Sequence, residues 1–379
     1  VKFALTSEQE LIQKTAREFA ANEIAPYAAE WDREARFPGE VVKKLAELGF
    51  LGMNVPEEFG GAGLDNVSYT LAVEEISRGD ASVGVIMSVN NSLVCWPIDT
   101  YGTLAQKERW LVPLAKGEHL GAYCLSEPQA GTDAAAQKTI AKKTDKGWVI
   151  TGVKNFITNG KSADTLVVMA MTDISLGHKG ISAFIIDADA PGVSVTHTEH
   201  KMGIRASDTA QIALDDVEVG DDALLGDVGK GFRVAMSTLD GGRIGIAAQA
   251  LGIAQSALDH SVAYSKEREQ FGRPIGKFQA IQFKLADMAM RLEAARLLTY
   301  KAAWTKDQKP GHAVESAMAK YMASTAAVFC AEEAVQIFGG NGYSRDYPVE
   351  KLMRDAKICD IYEGTNEVQK MVVGATLLA

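Results

Sequence analysis

The sequence predicts an α+β multidomain chain in three parts: an N-terminal α-helical domain over residues 1–120, a middle antiparallel β-barrel or sandwich domain over 121–226, and a C-terminal four-helix-bundle-like domain over 227–379. Three observations carry this. The apolar period turns from helical to strand-like at Gly121 and returns to helical after Gly226. No segment of crossover-helix length separates the short strands, which disfavours a parallel dinucleotide-binding sheet. Two long stretches of the last part keep an unbroken 3–4 apolar alternation, the seam spacing of closely aligned helices.

Taken in order, Ser7 and Glu10 have capping-box spacing, so a helix is expected to begin near Ser7, with Leu11, Thr15 and Phe19 on one face. Pro38-Gly39 opens a shorter helix through Val41, Val42, Leu45 and Leu48 that stops at Gly49. The glycines following Phe59 mark a loop, and residues 67–78 read as a further amphipathic helix. Gly61-Ala62-Gly63 lacks the third glycine and the preceding strand of a dinucleotide fingerprint. Strands are expected at 122–125, 148–150, 166–169, 181–186 and 211–214. Asn159-Gly160-Lys161-Ser162 resembles the end of a P-loop, yet Asn155 stands where that motif needs its first glycine. A helical stretch over 231–268 precedes the two seams. One runs through Phe278, Ile281, Leu285, Met288, Leu292, Ala295 and Thr299, the other through Val314, Ala317, Tyr321, Ser324, Val328, Ala331, Val335 and Phe338.

At 379 residues, 47% hydrophobic and 23% charged, the chain can bury a large core. A formal charge of −10 argues against a general nucleic-acid or membrane-surface binder, so neither partner is expected. Cys95, Cys124, Cys330 and Cys359 form no C-x-x-C pair, which indicates neither a metal site nor a disulfide framework and suits a reducing compartment. No 18-residue apolar run and no signal-peptide pattern is expected; the compartment is then the cytoplasm of a bacterium or, with a transit peptide removed, the mitochondrial matrix.

Several polar stretches suggest a site. The loop from Ser126 through Glu127, Gly131 and Thr132 to Asp133 follows a strand and is dense in hydroxyls and backbone donors, although a plain surface loop is equally compatible. Asn155-Phe156-Ile157-Thr158-Asn159 sets a ring beside a hydroxyl and could flank a flat heterocycle, or simply form a sheet edge. Helix ends carry Arg268-Glu269-Gln270-Phe271-Gly272 and the run from Gln336 to Gly342, with Gln279 early in another helix. Arg243 follows Asp240-Gly241-Gly242, as either a site cation or a surface charge. Near the C-terminus, Tyr362-Glu363-Gly364-Thr365 holds a carboxylate that we read as a catalytic base; taken alone, an exposed turn with a solvated carboxylate is the better reading, and the rest of the chain reverses it.

Together these motifs resemble the acyl-CoA dehydrogenases over essentially the whole chain, most closely the short-chain, butyryl-type members. The resemblance rests on Leu125-Ser126-Glu127-Pro128 with Gly131-Thr132-Asp133, Phe156-Ile157-Thr158-Asn159-Gly160, Leu239-Asp240-Gly241-Gly242-Arg243, Arg268-Glu269-Gln270-Phe271-Gly272, Gln336-Ile337-Phe338-Gly339-Gly340 and Ile361-Tyr362-Glu363-Gly364-Thr365. It implies a homotetramer binding FAD between the β domain and the C-terminal bundle. Tyr123, Leu125, Ser126, Gly131, Thr132, Phe156, Ile157 and Thr158 would line the flavin, with Phe156 where relatives often carry Trp. Arg268, Phe271, Gln279, Gln336, Ile337, Gly339 and Gly340 would reach the FAD of a neighbouring subunit, and Thr365, Asn366 and Glu367 would complete the nucleotide site.

The implied reaction is α,β-dehydrogenation of a short-chain acyl-CoA to the trans-2-enoyl-CoA, with Glu363 taking the α-proton, flavin N5 the β-hydride, and an electron-transferring flavoprotein the electrons. Arg243, Asp240 and Thr132 would meet the substrate, Tyr362 would flank it, and Gly364 would admit it close to the backbone. Gly242 before Arg243, with the carboxylate on the later loop, departs from isovaleryl-type members. Val85 stands where glutaryl-type members hold an arginine. An acyl chain of about four carbons is the expectation; medium- or branched-chain specificity and a non-dehydrogenase relative are the alternatives.

Overall fold

The computed structural model describes residues 4–309 and 311–378. Helix α1 (Ser7–Phe19) begins where expected, but its capping box is Thr6 with Gln9, not Ser7 with Glu10. The two pairs overlap by spacing, and Thr6 has the extended backbone that a cap requires. Helices α2 (Ala28–Glu34) and α3 (Gly39–Glu47) follow, the latter ending at Gly49 with φ +73°. In α4 (Asn66–Gly79) every residue from Val67 to Ser77 is buried, so the expected amphipathic helix is instead a central one. Its two glutamates are answered internally. Arg296 and Tyr300 donate to Glu74, while Arg17 and Arg78 donate to Glu75.

A continuous helical stretch, Ala81–Tyr101, has mean hydropathy 1.3 and is long and apolar enough to cross a membrane, which corrects the expectation that no such run exists. It is 94% buried and serves as a core helix. It consists of α5 (Ala81–Ser88), a π-turn over Val89–Cys95 and α6 (Trp96–Tyr101). Asn90 and Asn91 interrupt the apolar run, but inside the protein they donate to the carbonyls of Leu51 and Phe50, both at 2.8 Å. The short α7 (Leu104–Gln106) and α8 (Val112–Ala115) complete this part.

The middle part contains β1 (Gly121–Cys124), β2 (Ile140–Thr144), β3 (Gly147–Thr158), β4 (Thr165–Met171), β5 (Ile181–Asp187), β6 (Val193–Thr198), β7 (Thr209–Val219) and β8 (Leu224–Leu225). They join in the order β6-β7-β3-β2-β4-β5-β8, with β1 also on β4. Most pairings are antiparallel, but β1–β4 and β2–β4 are parallel, a correction to the fully antiparallel expectation. The crossover they need is supplied by the intervening β-hairpin and loops instead of a helix. Trp148 of β3 packs edge-on against Phe184 of β5 with centroids 5.5 Å apart. In a flat sheet three strand spacings would separate them by about 14 Å, so the sheet wraps around its own core. The alternate face of β4, including Val167 and Met169, packs into the main core with the helices.

The C-terminal part is built on α9 (Gly231–Glu267), α10 (Gln279–Gln308) and α11 (Ala313–Phe338), with a small hairpin of β9 (Glu269–Gln270) and β10 (Arg273–Pro274) after α9. Met288, Leu292, Ala295 and Thr299 of the first seam are buried, as are Ala317, Ser324, Ala331 and Phe338 of the second. Helices α12 (Val349–Ala356) and α13 (Asn366–Leu378) close the chain.

One buried ion cluster ties all three parts together. Lys351 of α12 lies 2.8 Å from Asp80, which caps α5, and 2.5 Å from Asp355, whose other oxygen accepts the amide of Ile204 from the β part. Burial works against the Lys351 charge, but the two carboxylates outweigh it and hold its pKa above the ordinary lysine value. Lys351→Met would leave two carboxylates facing each other in the interior. We expect a loss of about 3–5 kcal/mol in urea unfolding at neutral pH, partly recovered in mild acid where one carboxylate can take a proton.

Candidate active site

The backbone of residues 361–365 determines where Glu363 points. Glu363 and Gly364 both adopt left-handed conformations, with φ +53° and +83°. For a non-glycine residue this conformation costs about 1–3 kcal/mol and persists only where the surroundings enforce it. Here they do. Gln369 Nε2 donates to the carbonyls of Glu363 and Gly364 at 3.2 and 2.8 Å, and Lys320 Nζ donates to that of Gly364 at 2.9 Å. Lys320 also reaches Asn366 Oδ1, which accepts Ser324 Oγ, while Asn366 Nδ2 donates to Asp360. On the other side, the Tyr362 hydroxyl donates to Gln249, whose amide donates to the carbonyl of Ala81.

The side chain of Glu363 is thereby aimed into the interior. Its Oε2 is buried with no hydrogen-bond partner. A Cβ added to Gly242 would lie 2.8 Å from that oxygen and 2.7 Å from Leu93 Cδ2, so the glycine of α9 is the space the carboxylate occupies. Burial raises the pKa of Glu363 from 4.5 to about 7, against the opposing pull of Arg243 and Lys320. Arg243 is no surface charge: it is 6% exposed, donates to Asp240 at 2.7 Å, and leaves Nε without a partner.

Two adjoining cavities meet at Glu363. The smaller, of about 300 Å³, has apolar walls from Val85, Val89, Leu93, Leu239 and Ile246, with Tyr123, Leu125, Ile157 and Arg243 also on its lining. The larger, of about 550 Å³, lies towards Met202, Gly203, Ile204 and Ile361 and includes Thr365. Ser126, Gly131, Thr132, Phe156 and Thr158 line both, as do Tyr362, Glu363 and Gly364. Phe156 has φ +56° and is 64% exposed, so its ring stands at the boundary with solvent. Thus the loop after β1, the end of β3 and the late turn, remote in sequence, converge. The first loop is fixed by Glu127, which pairs with fully buried Lys154 at 2.8 Å and accepts the amides of Lys138 and Thr139. Despite burial, these partners bring its pKa down to about 2.

Asp240 pairs with Arg243 and lines neither cavity; Asn366 is a buried support of the turn, and Glu367 is exposed. Arg268, Phe271, Gln279, Gln336, Ile337, Gly339 and Gly340 also line neither, and lie at the opposite end of the bundle. From Arg243 to Glu267 the chain is one unbroken helix, 24 residues or about 36 Å along its axis. Phe271 there is 92% exposed.

Sequence reasoning passed over Lys320, Gln249, Gln369 and Lys154. A lysine and a glutamine inside alanine-rich helical stretches were the available signals for the first two. It also passed over an open groove of about 730 Å³ lined by Lys143, His178, Lys179, Lys230 and Arg233. Phe232 belongs to both that groove and the smaller cavity, so the two adjoin.

Family models match in chain order: Acyl-CoA dehydrogenase, N-terminal domain over residues 6–118, middle domain over 122–217 and C-terminal domain over 229–378. The chain is 52% identical over 374 residues to the mitochondrial short-chain specific acyl-CoA dehydrogenase of Bos taurus, spanning 99% of this chain and 91% of that one. Butyryl-CoA dehydrogenase from Megasphaera elsdenii superposes with TM-score 0.99 at 51% identity, covering 100% of both chains. The same values hold for a structure described as the electron transferring flavoprotein of Acidaminococcus fermentans, in connection with flavin-based electron bifurcation.

Gly242→Ala tests the geometry of the turn directly. The added methyl must displace the Glu363 carboxylate or Leu93, and we expect turnover to fall by about 100-fold, as for a comparable misplacement of a reacting group, while thermal unfolding moves little.

Proposed function

Because the chain belongs to the acyl-CoA dehydrogenase family, we propose that it oxidises a short-chain acyl-CoA to the trans-2-enoyl-CoA, with Glu363 as the base that removes the α-proton. The observation that carries this reading is the unpartnered Glu363 carboxylate, poised near neutrality where two cavities meet. A carboxylate at its usual pKa is poorly matched to a weak carbon acid, and burial narrows that gap.

The residues present fit FAD. The larger cavity offers the Phe156 and Tyr362 rings for a flat heterocycle, the Ser126 and Thr158 hydroxyls for its polar edge, and open space around Gly131. When bound, the flavin supplies a two-electron acceptor whose N5 takes the β-hydride. Glu363 holds the α-proton afterwards, at the junction of the cavities. The thioester of the substrate would sit against the backbone of Glu363 and Gly364, where an amide can stabilise the developing enolate. The apolar wall formed by Val85, Val89 and Leu93 receives the acyl chain. The adjoining groove, with five basic or imidazole side chains, suits the phosphates of CoA.

Two partners follow from the same reading. An electron-transferring flavoprotein would collect the electrons at the edge that Phe156 presents. A second copy of the chain would bring its far cluster, with Arg268, Phe271, Gln279 and the Gln336 to Gly340 run, to the cofactor. The exposed row Phe283, Met290, Leu297 and Trp304 supports such an assembly, since its seven-residue spacing forms an apolar stripe on α10. We propose a homotetramer as the assembled form.

Anaerobic titration of the flavin-loaded protein with acyl-CoAs of graded length tests the function. Butyryl-CoA should bleach the flavin most effectively, whereas no bleaching by any straight-chain acyl-CoA would sink the proposal. Glu363→Gln should keep FAD and ligand binding but lose dehydrogenation by about 1000-fold or more. Because the base must be ionised, kcat/KM should rise with pH to a plateau, with its midpoint at about 7 and a tenfold fall per pH unit below it.

A further inference from the structure

Lys320 is an unusual buried cation. It lies in the middle of α11, is 0% exposed, and has no carboxylate within 4 Å among the described residues. Its ammonium is held instead by two neutral acceptors, the carbonyl of Gly364 at 2.9 Å and Asn366 Oδ1 at 3.1 Å. A buried ammonium without a counter-ion is costly, so a neighbouring function is expected to repay that cost. The group it lies beside is the turn that carries the base.

We infer that Lys320 is a positioning residue for Glu363: it clamps the left-handed turn through the Gly364 carbonyl and supplies the positive charge that keeps the Glu363 carboxylate ionised inside the protein. This rests on Glu363 being the base. The groups facing Glu363 are few. Arg243 comes from α9, Lys320 from α11, Tyr123 from β1, Tyr69 from α4, and Tyr362 from the turn itself. Burial pushes the tyrosines above their ordinary value, Tyr69 to about 12, so all three are neutral near pH 7. Asp240 is committed to Arg243 at 2.7 Å and offsets its charge. Asp360 accepts from Asn366 and Lys357 and adds a negative charge near Lys320 without a direct contact to it. Lys320 is therefore a second cation beside Glu363 after Arg243, and unlike Arg243 it has no carboxylate in direct contact among the described residues. Burial pushes the Lys320 ammonium down and the Glu363 carboxyl up, and each draws the other back towards its charged form.

The clamp and the charge separate experimentally. Lys320→Gln keeps a donor for the Gly364 carbonyl without the charge, and Lys320→Met removes both. In the flavin-loaded enzyme we expect Lys320→Gln to move the midpoint of the kcat/KM profile up by about one pH unit, with roughly tenfold less activity on the acid side and recovery at high pH. Lys320→Met should show the same displacement and a further loss that high pH does not restore. The carboxyl-stretch infrared titration of the protein, with the Glu363 band assigned by its absence in Glu363→Gln, should show the same upward displacement without turnover. An unmoved midpoint and an unmoved infrared titration in Lys320→Gln would overturn the inference while leaving Glu363 as the base. Full activity in Glu363→Gln would instead remove the base reading itself. If Lys320→Met does not fold, Lys320→Gln decides the matter alone.

Discussion

The site depends on holding two successive residues, Glu363 and Gly364, in a backbone conformation that L-residues avoid. Glycine tolerates it, glutamate does not, and nothing local compensates. Compensation comes from three helices: α9 offers Gln249 to Tyr362, α11 offers Lys320 to the Gly364 carbonyl, and α13 turns Gln369 back onto both carbonyls. A turn enforced from three sides keeps a carboxylate fixed where solvent does not reach Oε2. The strain, the burial and the raised pKa are three expressions of that arrangement.

Close approach of α9 makes it possible. A methyl at Gly242 would collide with Glu363 and Leu93, one at Gly245 with Ser88 and Tyr69, and one at Gly252 with the backbone of Glu74. These glycines, spaced along a helix that otherwise favours alanine, exchange helix propensity for contact with α4, α5 and the Glu363 turn. Their position explains why the cavity lies against this helix rather than elsewhere in the bundle.

How much of this was legible in the sequence depended on whether the signal was local. The seam of α10 was readable from Met288 onwards because burial there follows one stripe, whereas on α11 burial is broader and Val314, Tyr321, Val328 and Val335 of the expected seam are only half-buried. The strands β2 and β6 were not expected, since most of their residues face solvent and lack an apolar run. The burial of α4 was hidden because Glu74 and Glu75 look like a solvent face until Arg17 and Arg296 arrive from elsewhere in the chain to join Arg78 of the same helix. At the site, Glu363, Phe156 and the hydroxyl-rich loop sit in recognisable motifs. Lys320 and Gln249 acquire meaning only from what lies across the fold, and no spacing within α11 or α9 reveals it. The separation of the second polar cluster from the cavities was likewise a matter of length: helix α9 carries it away.

The ion cluster at Lys351 has a consequence for how the chain can be taken apart. Its members come from a cap in the first part, a strand-side amide in the second and a helix in the third. Cutting at the boundaries suggested by periodicity would therefore leave Asp80 without its cation, the Ile204 amide without its acceptor, and the Lys351–Asp355 pair without its third member. Three domains in pattern thus share one buried ion cluster. Recombination between relatives would have to carry Asp80, the Ile204 segment and α12 across as a set, even though more than a hundred residues separate each from the next.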